Sequence, residues 1–406
     1  MDNVTHALAG ALLGAATCRL VERRTGEPPV SFRRAAFAIG IVTAELPDAD
    51  LMYSGAAVGM GRLGYLLHHR GHTHTVLVAV ISAVVVWALA LIARRQLRVP
   101  QYARPLLWLS VVGTVSHLAL DYTNSYGVHP FWPINTRWFY GDAVFIVEPW
   151  FWVMALPPLL WMARGIWWRV LCALTLTAIL VAAWRVNLVG TGVAAALTTG
   201  AVLWTAVTRM LPASQLATVA LLGWLTLEAM FFAGSAVSRA AVRRDVGAPL
   251  RDVVLTPSPG NPLCLSALVV TESGGMYGAT RAMVAPVPAL RSAAECARNN
   301  RASQGATSNT RPNSRTIHWG ETWSAPVAEL REIATTNCEA AAALRFIRVP
   351  HWQRRENGDV MISDLRFGEG GQSFASINAR PAAGCPHPVP NWEWPRSDIL
   401  GAAAQK

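Results

Sequence analysis

Apolar runs of membrane-spanning character dominate the first 240 residues or so of the chain. About eight helical segments are predicted, at 5–18, 35–54, 75–93, 105–121, 143–163, 167–184, 188–208 and 213–234. A helix needs about 20 residues to cross a bilayer, with roughly 17 as the lower end. The first two segments are shorter, since residues 35–44 reach Glu45 after only ten uncharged positions. The ends of these short helices are therefore expected to lie in a recess below the membrane surface.

The pattern changes near residue 240, where apolar runs shorten to strand length and Pro, Gly, Asn, Arg and Ser increase. This change predicts a C-terminal soluble domain of mixed, mainly β, character after a polytopic α-helical membrane domain. The domains are then 1–163 with the candidate site, 164–238 with further membrane helices, and 239–406 as a soluble extracytoplasmic domain. Strands are expected at 253–255, 265–271, 344–349 and 360–367, and a mobile loop at 297–316.

Composition agrees with a membrane protein. Of the 406 residues, 52% are hydrophobic and only 15% are charged, against about 25% charged in a soluble domain. The net charge of +11 raises the question of nucleic acid. The basic residues, however, lie in short inter-helix loops and at scattered positions of the C-terminal region, without a basic helix or an aromatic–basic stripe. We therefore expect membrane lipids as partners and no nucleic acid; the oligomeric state is left open.

Arginine placement predicts the orientation, because cytoplasmic loops are enriched in Lys and Arg. The arginine-rich connections are alternate ones: 19–34, 94–104, the turn with Arg164 and Arg169, and the turn with Arg209. The chain start, the loops 55–74 and 122–142 and the C-terminal region are then outside a bacterial inner membrane. Arg239, Arg243 and Arg244 argue the other way, although long exported domains tolerate such charges. The first residues lack a basic n-region and a cleavage site, so the first apolar segment is expected to stay in the mature protein.

Cysteine usage bears on the compartment. The predicted soluble domain carries Cys264, Cys296, Cys338 and Cys385, a spacing too wide for a CxxC zinc site. Four cysteines allow three pairings. Two disulfides in an oxidising compartment are the simplest interpretation, with free thiols as the alternative. Cys18 and Cys172 lie in apolar helices and are expected to be inert packing residues.

Imidazoles and carboxylates gather at one end of successive apolar helices. In chain order they are His6 at the start of the first segment, Asp48 and Asp50 at the end of the second, His69, His72 and His74 before the third, and His117 and Asp121 at the end of the fourth. Helix alternation places all of them at the outer end. Ionisable groups at membrane borders are costly and are usually functional. A membrane-embedded metal site is the resulting hypothesis.

The residue types suit a divalent metal. His117 and Asp121 are four apart and so share one helix face, and imidazole with carboxylate favours zinc among the transition metals. Asp48 and Asp50 could bridge ions or orient histidines. More than four candidate ligands suggest two or three ions, which typically activate a water and clamp the oxygens of a phosphoester. Arg70 and Arg137 could offset substrate phosphate charge.

Simpler interpretations apply to most members taken singly. His6 alone would be structural, and His117 with Asp121 could be a helix-end hydrogen-bond pair. His68 and His72 could be bystanders, His129 lies between helices, and Asp142 and Glu148 could be interface residues. Glu228 could be a packing residue, and Trp132, Trp138, Trp150 and Trp152 could form an interfacial belt. His318, His351 and His387 are assigned no role. Their agreement in side and depth favours the metal site over these readings.

Several segments resemble a known family. They are the first six residues, 47–50, 69–75, 117–121, Gly127, Pro130, 142–146 and 364–367. These look like the membrane-bound metal-dependent hydrolases of the YdjM-like, LexA-regulated type, which are remotely similar to zinc-dependent phospholipases C. The resemblance implies His6, Asp48, His69, His74, His117 and Asp121 as metal ligands. Asp50 would orient ligands or bridge ions, and we predict that Asp50 and Arg70 act in catalysis.

The predicted function is a membrane-bound metal-dependent hydrolase, a phosphoesterase acting on a lipid or other phosphoester through a metal-activated water. The cofactor is expected to be zinc, with two or three ions. Two alternatives stay open: a metal or proton transporter, which would need ionisable residues at several depths, and a non-catalytic membrane sensor with a structural metal.

Overall fold

The computed structural model describes residues 1–54, 61–186, 189–298, 311–368, 373–380, 385 and 389–401. Its N-terminal part is helical: α1 (Asn3–Thr25), α2 (Val30–Glu45), α3 (Gly61–His68), α4 (Val76–Ala93), α5 (Pro100–Tyr122), α6 (Pro149–Met162), α7 (Ile166–Arg185), α8 (Thr191–Met210) and α9 (Leu216–Val246). Among the described helices, α1, α4, α5, α7, α8 and α9 are long and apolar enough to cross a membrane. The chain is therefore a multi-pass membrane protein.

The second predicted segment, 35–54, is wrong in its bounds. Helix α2 begins at Val30 and ends at Glu45, and a 3₁₀ turn, Leu46–Met52, follows. Pro47 lies in the first turn of that element, where proline's missing N–H ends the α-helical hydrogen bonding. At 1.5 Å per residue, the 16 residues of α2 reach about 24 Å, less than the roughly 30 Å hydrocarbon core. This short length agrees with the predicted recess at the end of α2, whereas the prediction of a short first helix is wrong, because α1 has 23 residues.

Small residues let α1 and α2 meet backbone to backbone. A Cβ atom on Gly10 would lie 2.3 Å from the carbonyl oxygen of Gly40, and one on Gly14 would lie 2.7 Å from that of Ala36. Glycines spaced by four allow such close helix crossings in membranes. The crossing fixes the outer ends of the two helices, which carry His6 and Asp48.

Helix α5 packs against α2 in a similar way. A Cβ atom on Gly113 would lie 2.1 Å from Oγ1 of Thr43, and the Thr43 hydroxyl itself donates to the Ile39 carbonyl at 2.7 Å. Gly113 is one turn before His117 on α5. The close approach therefore brings the end of α5 to the end of α2.

Two antiparallel sheets form the C-terminal domain. Strands β1 (Leu250–Ser258), β2 (Asn261–Ser273), β3 (Met276–Val284) and β4 (Ile317–Pro326) pair in sequence order, as do β5 (Pro350–Arg354), β6 (Val360–Asp364) and β7 (Ser376–Ala379). Short helices complete it: α10 (Ala293–Arg298), α11 (Val327–Thr336), α12 (Cys338–Ala343) and α13 (Ser397–Leu400). A helical membrane domain followed by a mainly β domain is thus confirmed. The central part of the predicted loop 297–316 lies outside the described residues.

One strand prediction, 344–349, is wrong. This stretch is a turn region after α12, and Leu344, Phe346, Ile347 and Val349 are all completely buried. Short apolar runs do not distinguish a strand from another buried segment. The predicted strand at 360–367 is confirmed only as far as Asp364, where a 3₁₀ turn begins.

The last membrane helix carries Arg239, Arg243 and Arg244, the arginines that argue against the predicted orientation. Helix α9 has 31 residues, about 46 Å at 1.5 Å per residue, so its C-terminal turns extend beyond a bilayer core of about 30 Å. Arg239 donates to Asp142 at 2.7 Å and also to the Val253 carbonyl. That arginine joins the two domains, and the predicted boundary at 239 falls inside α9.

A buried charge network connects the domains. Arg348 donates to both carboxylate oxygens of Asp142, at 2.8 and 2.9 Å, and to Asp252 at 2.8 Å. Burial would raise the pKa of Asp252, but the Arg348 and Arg396 guanidiniums outweigh it and keep that pKa below its usual range. Helix α3, in the predicted loop 55–74, adds Leu66 and Leu67 to the core of the β domain. The membrane and soluble parts therefore share one interior.

Two disulfides crosslink the C-terminal β domain: Cys264–Cys296 and Cys338–Cys385. Cys18 and Cys172 are free thiols. We expect denatured, non-reduced protein to expose only the two free thiols to a maleimide reagent, and reduced protein to expose all six. Mass spectrometry of the labelled chain checks this count. Cys264→Ser is the control, because it frees the Cys296 thiol and adds one label. Six reactive thiols without reduction would contradict the pairing.

Candidate metal centre

Four ligand atoms from three separate segments meet where α2 and α5 end. They are Asp48 Oδ1, His74 Nε2, His117 Nε2 and Asp121 Oδ2, which all lie within 4.8 Å of one another. His74 belongs to a 3₁₀ turn, His72–His74, directly before α4. In this group the side chains of His74, His117 and Asp121 are completely buried, and that of Asp48 is 8% exposed. The predicted convergence at one helix end is confirmed.

The spacing of these atoms matches a metal coordination shell. His74 Nε2 lies 3.3 Å from Asp48 Oδ1 and 3.0 Å from Asp121 Oδ2, and His117 Nε2 lies 3.5 and 3.4 Å from the same two oxygens. The two Nε2 atoms are 3.1 Å apart. Ligands at 2.0–2.1 Å around a tetrahedral zinc are separated by about 3.3 Å. Five edges of this tetrahedron are therefore close to the expected length.

Protonation favours a cation between these atoms. His117 Nδ1 lies 2.5 Å from the Ala44 carbonyl oxygen, which only accepts, so Nδ1 carries the proton and a neutral His117 has its lone pair on Nε2. Its Nε2 faces the Nε2 of His74, and two protons cannot share that 3.1 Å gap without repulsion. Asp48 Oδ1 and Asp121 Oδ2 are buried without a hydrogen-bond partner. Such orphaned acceptors are what a bound metal ion would satisfy.

A second group shares Asp48 with the first. Asp48, Asp50 and His69 also place one ligand atom each within 4.8 Å of one another. Asp50 Oδ1 lies 2.9 Å from His69 Nδ1, and Asp50 Oδ2 accepts from the Arg70 backbone N–H at 2.9 Å and from the Thr73 hydroxyl at 2.8 Å. Asp50 therefore organises the whole 69–74 loop. Its imidazole contact leaves Nε2 of His69 available as a ligand.

His6 lies against the first group. Its ring stacks on His117 with centroids 3.8 Å apart, and its Nε2 is 3.3 Å from Asp121 Oδ1. Both ring nitrogens are buried without a hydrogen-bond partner. The Met1 amino group also contacts Asp121 Oδ1. The imidazole is thus at ligand distance from the cluster although it is not in either four- or three-residue group.

Arg70 adopts a left-handed backbone conformation, with φ of 58°, which is uncommon for a residue other than glycine. The side chain is almost fully buried, and its Nη2 lies 2.8 Å from Asp121 Oδ1. Nη1 donates to Asn124 Oδ1 at 3.2 Å, and the guanidinium lies 4.6 Å above the Tyr126 ring. Strain of this kind concentrates at functional sites. It places a fixed positive charge beside the cluster.

The electrostatics of the loop residues reflect their close packing. Burial would raise the pKa of Asp50, but the His69 and His74 imidazoles that contact it outweigh burial and hold the pKa below its usual range. The same balance applies to Asp48 through His117 and His74. Burial would lower the pKa of His74, yet the carboxylates of Asp121, Asp48 and Asp50 raise it to about 10. The site therefore attracts positive charge.

An aromatic layer formed by His129, Trp138 and Trp392 covers the 69–74 loop. His129 lies between Trp138 and Trp392, with ring centroids 3.7 and 4.1 Å away, and Trp392 donates to the Leu67 carbonyl at 2.8 Å. His72 contacts the same Trp392 ring at 4.8 Å. Burial lowers the pKa of His129 to about 3, so this imidazole is neutral. His72 and His129 pack against tryptophans and lie outside both ligand groups.

Several candidates lie elsewhere. Arg137 is exposed and faces Glu393 at 3.5 Å, so its expected role beside a phosphate is not supported. Asp142 pairs with Arg348, and Glu148 accepts from the Gly260 backbone N–H at 3.2 Å, as expected of interface residues. Glu228 accepts from Trp224 at 2.9 Å within α9. The remaining exceptions are Trp138, which is buried in the domain core rather than in an interfacial belt, and His387, which lies outside the described residues.

Sequence reasoning missed three polar neighbours of the site. Thr73 donates to Asp50, Asn124 accepts from Arg70, and Asn3 donates to Glu45 at 2.9 Å and to Asp48 at 3.3 Å. Thr73 is next to His74 and Asn3 is three positions before His6, and this proximity in the sequence was the only available signal. Asn124 follows Asp121 by three positions, a spacing that has no distinguishing signature outside a helix.

Comparison with known proteins agrees with the membrane domain. Residues 1–189 match the model of the YdjM inner membrane protein family. The matched part contains every residue of the two ligand groups as well as Arg70 and His6. No curated protein and no solved structure matches the chain.

Proposed function

We propose that this protein is a membrane-bound metal-dependent hydrolase that cleaves a phosphoester. The observation that carries the proposal is the pair of overlapping ligand groups that share Asp48, beside a buried arginine. A closed structural site would have one complete shell, whereas two adjoining groups suit two ions that act together on one phosphate. The similarity of residues 1–189 to the YdjM inner membrane protein family supports the membrane setting.

Zinc is the proposed metal, because imidazole and carboxylate ligands in tetrahedral spacing are typical of it. Asp48, His74, His117 and Asp121 would hold one ion, Asp48 and His69 a second, and His6 would complete either shell. Divalent ions in such a site make a water nucleophilic near neutral pH and offset charge on a phosphoryl group. In hydrolysis of a phosphoester here, a water oxygen would bond to phosphorus as the P–O ester bond breaks, and the leaving alcohol would take the proton that the water loses.

Asp50 would position the site residues for this reaction, and Arg70 would offset the charge of the phosphate. Asp50 holds His69, the Arg70 N–H and Thr73 together, so it keeps the loop in register with the ends of α2 and α5. Arg70 is held by Asp121, Asn124 and Tyr126. Its preorganised guanidinium would offset negative charge that develops on the phosphate, a contribution that is large in a water-excluded site.

Two alternatives, a transporter and a non-catalytic sensor, are less well supported. A relay across the bilayer needs ionisable groups at successive depths. In the described membrane helices the His and Asp ligands lie at one end only, and the charged residues of α8 are limited to Arg209 at its last turn. A sensor with a structural metal would need no second ligand group.

We propose that the site and the soluble domain face the outside of the inner membrane. The arginine-rich connections between α1 and α2 and between α4 and α5 lie at the end of the bundle opposite the ligands, and such loops are typically cytoplasmic. Two disulfides in the soluble domain agree with an oxidising compartment.

Hydrolysis of a phosphoester panel tests the activity. Zinc-loaded wild type should release alcohol or phosphate from at least one member, and His117→Ala should lower that rate at least ~100-fold, the scale of losing an essential metal-site contact. His68→Ala is the control, since His68, at the end of α3, belongs to neither ligand group. A wild-type protein with full metal content and no activity on any member would remove the phosphoesterase assignment.

A further inference from the structure

The first ligand group is more exposed to its surroundings on one side than on the other. Of the four side chains of the first ligand group, only that of Asp48 has solvent exposure, 8% against 0% for the other three, and this exposure lies on atoms other than the buried Oδ1. Any route for a substrate to this group that the described residues leave open therefore passes Asp48. The neighbours of this carboxylate decide from which phase the substrate comes.

The side toward the soluble domain is closed in the described part of the chain. Arg70 is 2% exposed and contacts Asn124 and Tyr126, which are also buried. Trp392 seals the same loop through its hydrogen bond to Leu67 and its stacking on His129. A water-soluble substrate approaching from the soluble domain would meet this aromatic layer before it met the ligands.

The Asp48 side instead continues into an exposed surface of α2. Ala38, Val42 and Glu45 are four and three positions apart, so they share one face of that helix, and Ala38 and Val42 are exposed. Val42 lies about 4.5 Å and Ala38 about 10 Å along the axis from Glu45, at 1.5 Å per residue. An apolar stripe thus leads from membrane depth to Glu45, the residue next to the site.

Two polar residues, Asn3 and Glu45, lie between the apolar stripe and the first ligand group, and we call them the polar lip. Asn3, at the exposed start of α1, donates to Glu45 and to the outer oxygen of Asp48. Beside the lip, the 3₁₀ turn exposes Leu51 and Met52, the latter by 82%. Apolar side chains surround a polar entrance at the depth where the short α2 ends, which is the arrangement that an amphiphile with a buried tail and a polar head requires.

We propose that the substrate is a membrane lipid with a phosphoester head group, and that it enters sideways from the outer leaflet over the Ala38–Val42 stripe and the Asn3–Glu45 lip. This inference rests on the proposed phosphoesterase function, because it assigns the head group to the same metal site. The acyl chains stay against α2, in continuity with the lipid-facing surfaces of the membrane helices. Asp48, the open member of the cluster, is the first metal ligand that the head group meets.

Lipid photo-crosslinking tests the entry route independently of catalysis. Full-length protein in detergent micelles is mixed with a trace of a phospholipid that bears a diazirine on its acyl chain, and labelled peptides are mapped by mass spectrometry. We expect labelling at residues 38–42 to fall at least fivefold with excess unlabelled phospholipid and to stay within twofold with excess diacylglycerol, which lacks the phosphate. The exposed α8 surface around Val202 is the internal control, and both lipids should compete there equally. Equal competition at α2 as well would overturn the proposal.

Substitution of the stripe provides the second arm. Val42→Trp adds bulk to the exposed stripe, and Val202→Trp adds the same bulk at an exposed α8 position. Val42→Trp should lower cleavage of a vesicle-borne phospholipid at least tenfold while cleavage of a water-soluble phosphodiester stays within twofold; Val202→Trp should change neither. Equal losses on both substrates, or no loss on the lipid, would overturn lateral entry. If wild type cleaves neither substrate, the phosphoesterase function fails, and the crosslinking result still decides whether a phospholipid binds here.

Discussion

His117→Ala is expected to lose at least one metal ion per chain. The substitution removes Nε2, which lies 3.1 Å from His74 Nε2 and within 3.5 Å of both carboxylates of the group. Loss of even an orienting contact typically weakens metal affinity 10–100-fold, so loss of this nitrogen should weaken it at least ~100-fold. Elemental analysis of the purified protein after dialysis, and competition with a chromophoric chelator, measure the change.

The control for this metal measurement is His68→Ala, because it removes an imidazole from the same region without touching either ligand group. Circular dichroism of both variants separates loss of metal from loss of fold. Full metal content in His117→Ala, with wild-type affinity, would contradict the assignment of the first ligand group.

Asp142→Asn is expected to destabilise the junction between the two domains by about 2 kcal/mol, the scale of hydrogen bonds to charged groups, because Arg348 keeps Asp252 as a partner. Arg348 is buried and donates twice to Asp142, and Arg239 donates once. The asparagine keeps the side-chain shape and tolerates the left-handed backbone at this position, where φ is 52°. The loss therefore reports the charge. Chemical unfolding in micelles, followed by tryptophan fluorescence, measures it.

Two comparisons make the Asp142 result specific. Arg239→Met removes the partly exposed partner of Asp142 and should cost less than Asp142→Asn, because the buried pair of Asp142 with Arg348 remains. Glu272→Gln removes the partner of Arg251 in an exposed ion pair of the same domain and should leave unfolding nearly unchanged. A wild-type midpoint for Asp142→Asn would show that the network does not hold the domains together.

Much of the candidate site could be predicted from sequence because its ligands lie at helix ends. Once alternate apolar segments cross a membrane, His6, Asp48, His74 and His117 must emerge on one side, whatever the helix packing. The i, i+4 spacing of His117 and Asp121 adds a local constraint. The coarse fold follows from the same logic, since a change from helix-length to strand-length apolar runs is visible in one dimension.

The remaining features depend on contacts between distant parts of the chain. The role of Asp142 is set by Arg348, 206 positions away. The aromatic layer over the 69–74 loop includes Trp392 from the C-terminal region. The apolar residues of 344–349 (Leu344, Phe346, Ile347 and Val349) fill the shared interior and do not pair in a sheet. Sequence periodicity carries no information on such partners, so strand 344–349, Arg137 and Trp138 were misassigned.

The backbone contact between α1 and α2 has a consequence for the host membrane. Bilayers differ in thickness, and helices respond to mismatch by tilting. Only 6% and 22% of the apolar 18-residue stretches of α7 and α8 are buried inside the protein. These two helices are therefore free to tilt. Helices α1 and α2 are clamped at Gly10 and Gly40, one turn from His6 and from Ala44. We therefore expect changes in lipid chain length to be absorbed by the peripheral helices, while the spacing of the metal ligands stays constant.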